Sequence, residues 1–457
     1  MNKYIAVLLF SCLSLWLCAG ESYCFRVYLK DKGNSGYTVD KPEAYLSERA
    51  IERRAKQGKQ ISVSDLPIAR AYLDSLTDCG GKPIVQSKWF STVVVACADS
   101  LASEQLKRLS FVDSVKWVWK GDRETKVVAR DDTSLFVPSD EPLKTFYGYA
   151  EEQIKMLNGV KLHNAGYKGE GMQIAVIDAG FMNVDRISIF SSLKLLGTQN
   201  FVFPGESVFG DDDHGTKVLS CLASNVPGLM VGTAPEASYW LIKSEDSRSE
   251  YPIEEDYWAA SVEFADSVGV DVITSSLGYF TYDAGELIYS QSALDGKTAL
   301  ISRAAHKASE KGILVFCSAG NEGNGYWEKI TFPSDASDVV TVGAITEKKK
   351  KSVFSSVGLT ADYRVKPDVV ALGSGCCVID SSGNIHYANG TSFSTPILAG
   401  LGVCLWQAFP ELSNKEMIEL LQRSSSQYNQ PDAELGYGIP DVFKAYKNKN
   451  KYVARTE

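Results

Sequence analysis

The sequence predicts an α/β protein built around an open, mostly parallel sheet, preceded by a smaller unit that mixes strands with a helix. Two apolar runs, 174–177 and 313–316, have the length and composition of strands buried on both faces. Helical patterns lie after and between them: residues 214–223, an amphipathic stretch at 298–307, and a long apolar stretch that begins at Ser392 and runs to about Phe409. The chain has 457 residues, too many for one ordinary small domain and enough to bury a large core.

Taken in order, the chain opens as an export signal over residues 1–20. Lys3 supplies the positive end, 5–17 is apolar, and Cys18-Ala19-Gly20 is a small-residue cleavage site. The apolar run is too short and too lightly flanked for a membrane span, so an exported protein is expected: periplasmic, cell-surface or extracellular. Leu9-Phe10-Ser11-Cys12 loosely fits a lipidation box, and membrane attachment is expected only if Cys12 carries a lipid. Residues 21–120 read as a small α+β unit, with strands at 24–29, 91–96 and 112–118 and a helix at 101–109. Residues 121–146 are charged and contain Ser and Pro, the composition of an exposed linker open to cleavage. A larger domain fills 147–457.

Three strings in that larger domain carry chemistry. Asp178 ends the run Ile174-Ala175-Val176-Ile177 and is followed by Ala179-Gly180, which puts a carboxylate at the carboxyl end of a buried strand, where open α/β sheets collect their sites. His214 opens its helix within Asp213-His214-Gly215-Thr216. Ser392 opens another in Asn389-Gly390-Thr391-Ser392-Phe393-Ser394-Thr395-Pro396, beside the unpaired N–H groups and positive dipole end of a helix start. A serine hydroxyl needs an imidazole to take its proton and a carboxylate to orient that imidazole, and the chain supplies all three. The other histidines have poorer settings: His163 at a helix end, His306 beside charged residues on an amphipathic helix, and His386 in a hairpin-like segment.

On these strings the chain resembles the subtilisin-like serine proteases, the subtilase family. The order Asp…His…Ser is that of subtilisin, whereas chymotrypsin-like enzymes run His…Asp…Ser and α/β-hydrolases run Ser…Asp…His around a G-x-S-x-G elbow that Gly390-Thr391-Ser392-Phe393 lacks. Val231-Gly232-Thr233-Ala234-Pro235 resembles the family's turn before a core strand. Asp271-Val272-Ile273-Thr274-Ser275-Ser276-Leu277-Gly278 resembles the strand lining the substrate cleft. The resemblance implies a doubly wound, mostly parallel sheet with helices on both faces, behind a small α+β propeptide that serves as chaperone and inhibitor. Retention of the N-terminal unit in the mature protein is the alternative. It implies a serine endopeptidase acting on protein or peptide substrates, with Asp178, His214 and Ser392 as the triad and Asn321 of Ser318-Ala319-Gly320-Asn321 donating to the oxyanion. Ser276, Leu277 and Gly278 would pair with the substrate backbone and form one wall of the S1 pocket. Ser318, Ala319 and Gly320 belong to the oxyanion motif, and Thr331, before Phe332-Pro333, would stand at the pocket floor where well-known members have glycine. A fold used only for binding or for self-processing is the competing reading.

The sequence departs from the family at neighbours of the triad: Lys217 stands where a second histidine is common, Leu219 and Ser220 replace Ala-Gly, Ala179 replaces Ser or Thr, and Phe393-Ser394-Thr395 replaces Met-Ala-Ser. The formal net charge of −9 argues against a nucleic-acid partner, and Lys348-Lys349-Lys350-Lys351 reads as a solvated loop. No cofactor is required, and structural calcium is left open. Asp211-Asp212-Asp213 lacks the spacing of a calcium loop and reads as a solvated turn, so no metal site is expected. Without Cys12 and Cys18, eight scattered cysteines remain and make no disulfide scaffold; Cys317 and Cys404 are expected to be buried. Cys221, two helical turns after His214, shares its face and is expected to be buried and inert.

Overall fold

The computed structural model describes residues 22–123, 145–283, 285 and 288–452. The expected export signal, Cys12 and most of the expected linker at 121–146 lie outside the described residues. The smaller unit is a four-stranded antiparallel sheet made of β1 (Ser22–Leu29), β2 (Lys82–Ser87), β3 (Thr92–Cys97) and β4 (Val112–Gly121), in the order β2-β3-β1-β4. Pro83, which cannot donate to a ladder, is tolerated because β2 is an edge strand with a register irregularity between Pro83 and Val85. One face of this sheet, with Phe25, Val27, Val93 and Val95, buries Leu76 of α2 (Arg70–Asp78) and Leu106 of the short helix Ala102–Leu106.

The larger body is a seven-stranded sheet, all parallel. Its strands are β5 (Gln173–Asp178), β6 (Lys194–Asn200), β7 (Ser238–Lys243), β8 (Val272–Ser275), β9 (Leu314–Ser318), β10 (Val340–Ile345) and β11 (Val369–Leu372), in the order β11-β10-β9-β8-β5-β7-β6. Side chains alternate between two cores, as the period of a strand requires. Ile174, Val176, Val272, Leu314 and Phe316 face one core with α3 (His214–Ala223) and α6 (Thr391–Ala408). Ala175, Ile177, Ile273, Val315 and Cys317 face the other with α4 (Ile253–Val268) and α5 (Leu300–Glu310). Helices cover both faces, as the doubly wound arrangement demands. The chain proceeds from β5 to β6 and β7 on one side, then crosses to β8 on the other, so the strand order reverses at β5. That switch point opens a crevice at the carboxyl ends of the strands, where Asp178 sits.

Some expected boundaries moved. The helix expected over 101–109 is only Ala102–Leu106, because the Asp99 carboxylate takes the Leu101 N–H at 2.8 Å and Leu101 itself is exposed. Helix α1 (Glu48–Lys56), α2 and β2 were not anticipated. Cys317, Cys404 and Cys221 are buried as expected, and the eight cysteines of the described residues are all free thiols. Among the described residues, no helix is long and apolar enough to cross a membrane.

Candidate active site

Asp178 is fully buried at the end of β5, where its Oδ1 accepts the Ala179 N–H at 2.9 Å and faces His214 Nδ1 at 2.6 Å. His214 is the first residue of α3, with its own N–H held by Asp212 Oδ1 at 2.8 Å. Strand end and helix start approach this closely because of two glycines: a Cβ on Gly180 would lie 2.1 Å from the Asp211 carbonyl oxygen, and one on Gly215 would lie 2.3 Å from that of Gly180. Burial pulls the His214 pKa down, but the Asp178 carboxylate, followed by Glu245 and Asp212, more than reverses this and the group is raised to about 9.

Ser392 is the second residue of α6, so its N–H is among the orphan donors of a helix start. Its carbonyl accepts from Ser276 Oγ at 2.8 Å, and its own Oγ hydrogen-bonds the Ser276 carbonyl at 3.4 Å instead of His214. The Phe393 ring lies 6.1 Å from the His214 ring, which brings the start of α6 beside the imidazole. Asn321 is anchored from the opposite side: its Oδ1 accepts the Thr391 N–H at 2.9 Å and the Thr391 hydroxyl at 3.0 Å. With the oxygen so engaged, the amide Nδ2 makes no bond to a described residue and is available as a donor.

The substrate-pairing candidates converge on one residue. Ser276, Leu277 and Gly278 leave the end of β8; Ser318, Ala319 and Gly320 leave the end of β9. Thr331 lies between them, with its N–H on the Ala319 carbonyl at 3.1 Å. A Cβ on Gly278 would come 2.2 Å from Thr331 Oγ1, and one on Gly320, at φ +102°, would come 2.8 Å from Thr331 Cγ2. The threonine is buried and its hydroxyl has no hydrogen-bond partner among the described residues.

Asp211-Asp212-Asp213 is not the solvated turn expected of it. Asp211 pairs with the buried Lys243 at 3.1 Å, Asp212 holds the His214 N–H, and Asp213 takes Lys217 Nζ at 2.7 Å and the Ser381 hydroxyl at 3.2 Å. Asp213 thereby ties the start of α3 to Ser381, and Lys217, a departure from the family pattern, pairs with Asp213 one turn along the helix. Three acidic residues near the site went unnoticed in the sequence: Glu245, Glu250 and Glu254. The only signal was the acidic run 245–256 directly after β7, the strand hydrogen-bonded beside Asp178.

Comparisons with known proteins identify the family. The model of the Subtilase family (Peptidase_S8) matches residues 169–438, and a model of the Peptidase S8 propeptide domain, Bacteroidota, matches residues 24–131. Subtilisin DY of Bacillus licheniformis is 30% identical over 279 residues, 60% of this chain and 90% of that protein. Subtilisin NAT of Bacillus subtilis subsp. natto is 28% identical over 310 residues, covering 67% and 74%. Minor extracellular protease Epr of Bacillus subtilis (strain 168) is 25% identical over 364 residues, covering 79% and 50%.

Proposed function

The chain belongs to the subtilase family and is a serine endopeptidase, and from that premise we propose that Asp178, His214 and Ser392 are its catalytic triad. The observation that carries this reading is the 2.6 Å bond from His214 Nδ1 to the buried Asp178, across the strand-end crevice from a serine at the start of a helix. Asp178 fixes the imidazole so that Nε2 faces the crevice as a base. Ser392 Oγ leaves the Ser276 carbonyl, gives its proton to Nε2 and attacks the scissile carbonyl carbon; catalytic hydrogen bonds are commonly long before substrate enters. Asn321 Nδ2 and the Ser392 N–H bind the oxyanion as charge develops on it. His214 then protonates the leaving amine, and water, deprotonated by the same nitrogen, releases the acyl group from Ser392. Ser276, Leu277 and Gly278 hold the substrate backbone, while Ser318, Ala319, Gly320 and Thr331 shape the pocket for the residue before the scissile bond.

A propeptide domain is present and the enzyme acts on protein substrates. We assign the propeptide the roles of folding chaperone and inhibitor, removed by Ser392 itself after export directed by residues 1–20. Ser392→Ala then abolishes hydrolysis of an added peptide and leaves the precursor uncut, while Asn321→Ala lowers kcat by roughly two to three orders of magnitude with little change in KM. Turnover and N-terminal mapping of both purified variants check this. Hydrolysis surviving in Ser392→Ala overturns the assignment.

A further inference from the structure

We infer that Glu245, Glu250 and Glu254 form an acidic subsite beside the triad that receives a lysine or arginine side chain two to four residues before the scissile bond. The inference rests on the protease reading above and adds to it a class of substrate.

The placement follows from the backbone. In β7, Lys243 is in register with Asp178, and the Ser244 N–H bonds the Asp178 carbonyl at 3.1 Å, so Glu245 emerges at the strand end next to the triad. The segment after it carries Glu250, whose N–H and carbonyl are both fixed by Asp283, at 2.8 Å to the carboxylate and 2.9 Å from the N–H. Asp283 lies on the stretch that follows Ser276, Leu277 and Gly278. Glu254, in the first turn of α4, is 1% exposed. Neither Glu254 oxygen makes a hydrogen bond of normal geometry, and the nearest donor, the buried Tyr279 hydroxyl one residue beyond Gly278, only partly offsets the burial of the carboxyl. Glu245 and Glu250 are the carboxylates electrostatically closest to Glu254, and Glu245 also feels Asp178 and His214. The cluster therefore underlies the edge that pairs with the substrate on the amino side of the cleaved bond.

A buried carboxyl beside two half-buried ones, with no ion pair at any of the three among the described residues, is costly to ionise until a cation joins them. Burial, with Asp178 adding to it, pushes Glu245 up to about 7; burial, with Glu245 and Asp283 adding to it, pushes Glu250 up to about 8; and burial, with both of these glutamates adding to it, raises Glu254 as well, so an incoming cation displaces protons as it binds. The nearby Lys243 is committed to the Ala179 carbonyl and Asp211. An incoming ammonium or guanidinium supplies what is missing. The chain's own sequence fits: the propeptide match ends at residue 131, within the segment expected to be cleaved, and its last residues, Lys126-Val127-Val128-Ala129-Arg130-Asp131, place two basic side chains four residues apart.

The test compares peptides bearing Lys or Arg with peptides bearing Ala at each of the second to fourth positions before the bond. It measures turnover by the matured enzyme and binding to Ser392→Ala. At least one position should show a preference of about tenfold or more for the basic residue in both measurements. The preference should weaken with added salt and fall toward unity in Glu245→Gln/Glu250→Gln. A ratio near one at every position in the unaltered cleft, or one indifferent to salt, overturns the subsite whether or not the double variant folds. Selective binding without any turnover keeps the subsite and sinks the protease reading; turnover without selectivity does the reverse.

Discussion

His214 is governed by two opposed effects, and on the proposed triad their balance sets where activity rises with pH. Desolvation favours the neutral ring; Asp178, Glu245 and Asp212 favour the imidazolium and prevail, raising the group to about 9. Only the neutral ring can accept the serine proton, so kcat/KM should climb as pH rises through an acid limb displaced well above the ordinary histidine value. Glu245→Gln removes one of the stabilising charges and should lower that limb by roughly half to one pH unit, read from the pH profile of kcat/KM. An unmoved limb would show that Glu245 does not act on the imidazole. Thr331 makes a second prediction at this scale. Its methyl and hydroxyl crowd Gly278 and Gly320, where on the proposed assignment a large side chain before the scissile bond would enter. The pocket should therefore prefer Ala, Met or Leu to Phe and Tyr, by about 1–3 kcal/mol, and Thr331→Gly should shift it toward aromatics. Comparing kcat/KM for Ala, Leu and Phe peptides in both proteins decides it. The residues proposed as the triad, and Thr331, stand out in the sequence because each sits in a local string with its own context. Glu245 does not: its part in the site comes from the register of β7 against β5, which spacing along the chain does not reveal.

Elements buried on both sides were the easiest to read. The helix His214–Ala223 was placed to the residue, and the runs of β5 and β9 announced themselves, since a strand in a doubly covered parallel sheet has no polar face. Helix α1, Glu-Arg-Ala-Ile-Glu-Arg-Arg-Ala-Lys, has too few apolar residues to show a stripe. It is held by charges: Arg53 and Arg54 are buried on Asp266, with Arg54 also on Asp65 at 3.0 Å. A pattern search scores such arginines as solvated. His163 illustrates the same limit, for its role lies between elements. At the end of the helix Gly159–Asn164 it is buried, with Nδ1 3.0 Å from the Tyr147 hydroxyl and Nε2 3.0 Å from the Thr233 carbonyl, and burial lowers its pKa to about 4. The unfolded chain, with a histidine near 6.5, binds more protons between those values. The stability His163 confers is thus complete above about 6.5 and is lost as pH falls toward 4, by roughly 3 kcal/mol in all. Thermal unfolding of His163→Gln across that window should show a flatter pH dependence; a parallel curve would remove His163 from the acid sensitivity.

At the scale of the whole molecule, one helix serves both halves. The inner side of α4 packs Trp258, Val262 and Ala265 into the sheet core, while Ile253, Tyr257 and Ala260 meet Cys24, Val94, Val118 and Trp119 of the propeptide sheet. Charged contacts bracket that apolar patch. Arg26 forms a two-pronged pair with Asp256 at 2.6 Å through both Nε and Nη2, Glu263 takes the N–H groups of Lys88 and Trp89 at 2.8 and 3.1 Å, and Asp266 takes Arg53 and Arg54. The Arg26 and Asp256 side chains are only 3% and 4% exposed, so neither can be compensated by water while the two halves are joined. Replacing Arg26 alone strands the Asp256 charge in that interface. On the proposed maturation, removal of the propeptide uncovers α4, and water can then solvate Asp256 without that penalty. Breaking a buried pair from one side costs about 3–5 kcal/mol. Arg26→Met in a separately supplied propeptide should consequently raise its inhibition constant by two orders of magnitude or more, and the same change in the precursor should lower its Tm while leaving the mature enzyme's Tm where it was. A variant propeptide that inhibits as tightly as the unaltered one would show that the apolar patch alone, and not this ion pair, holds the two halves together.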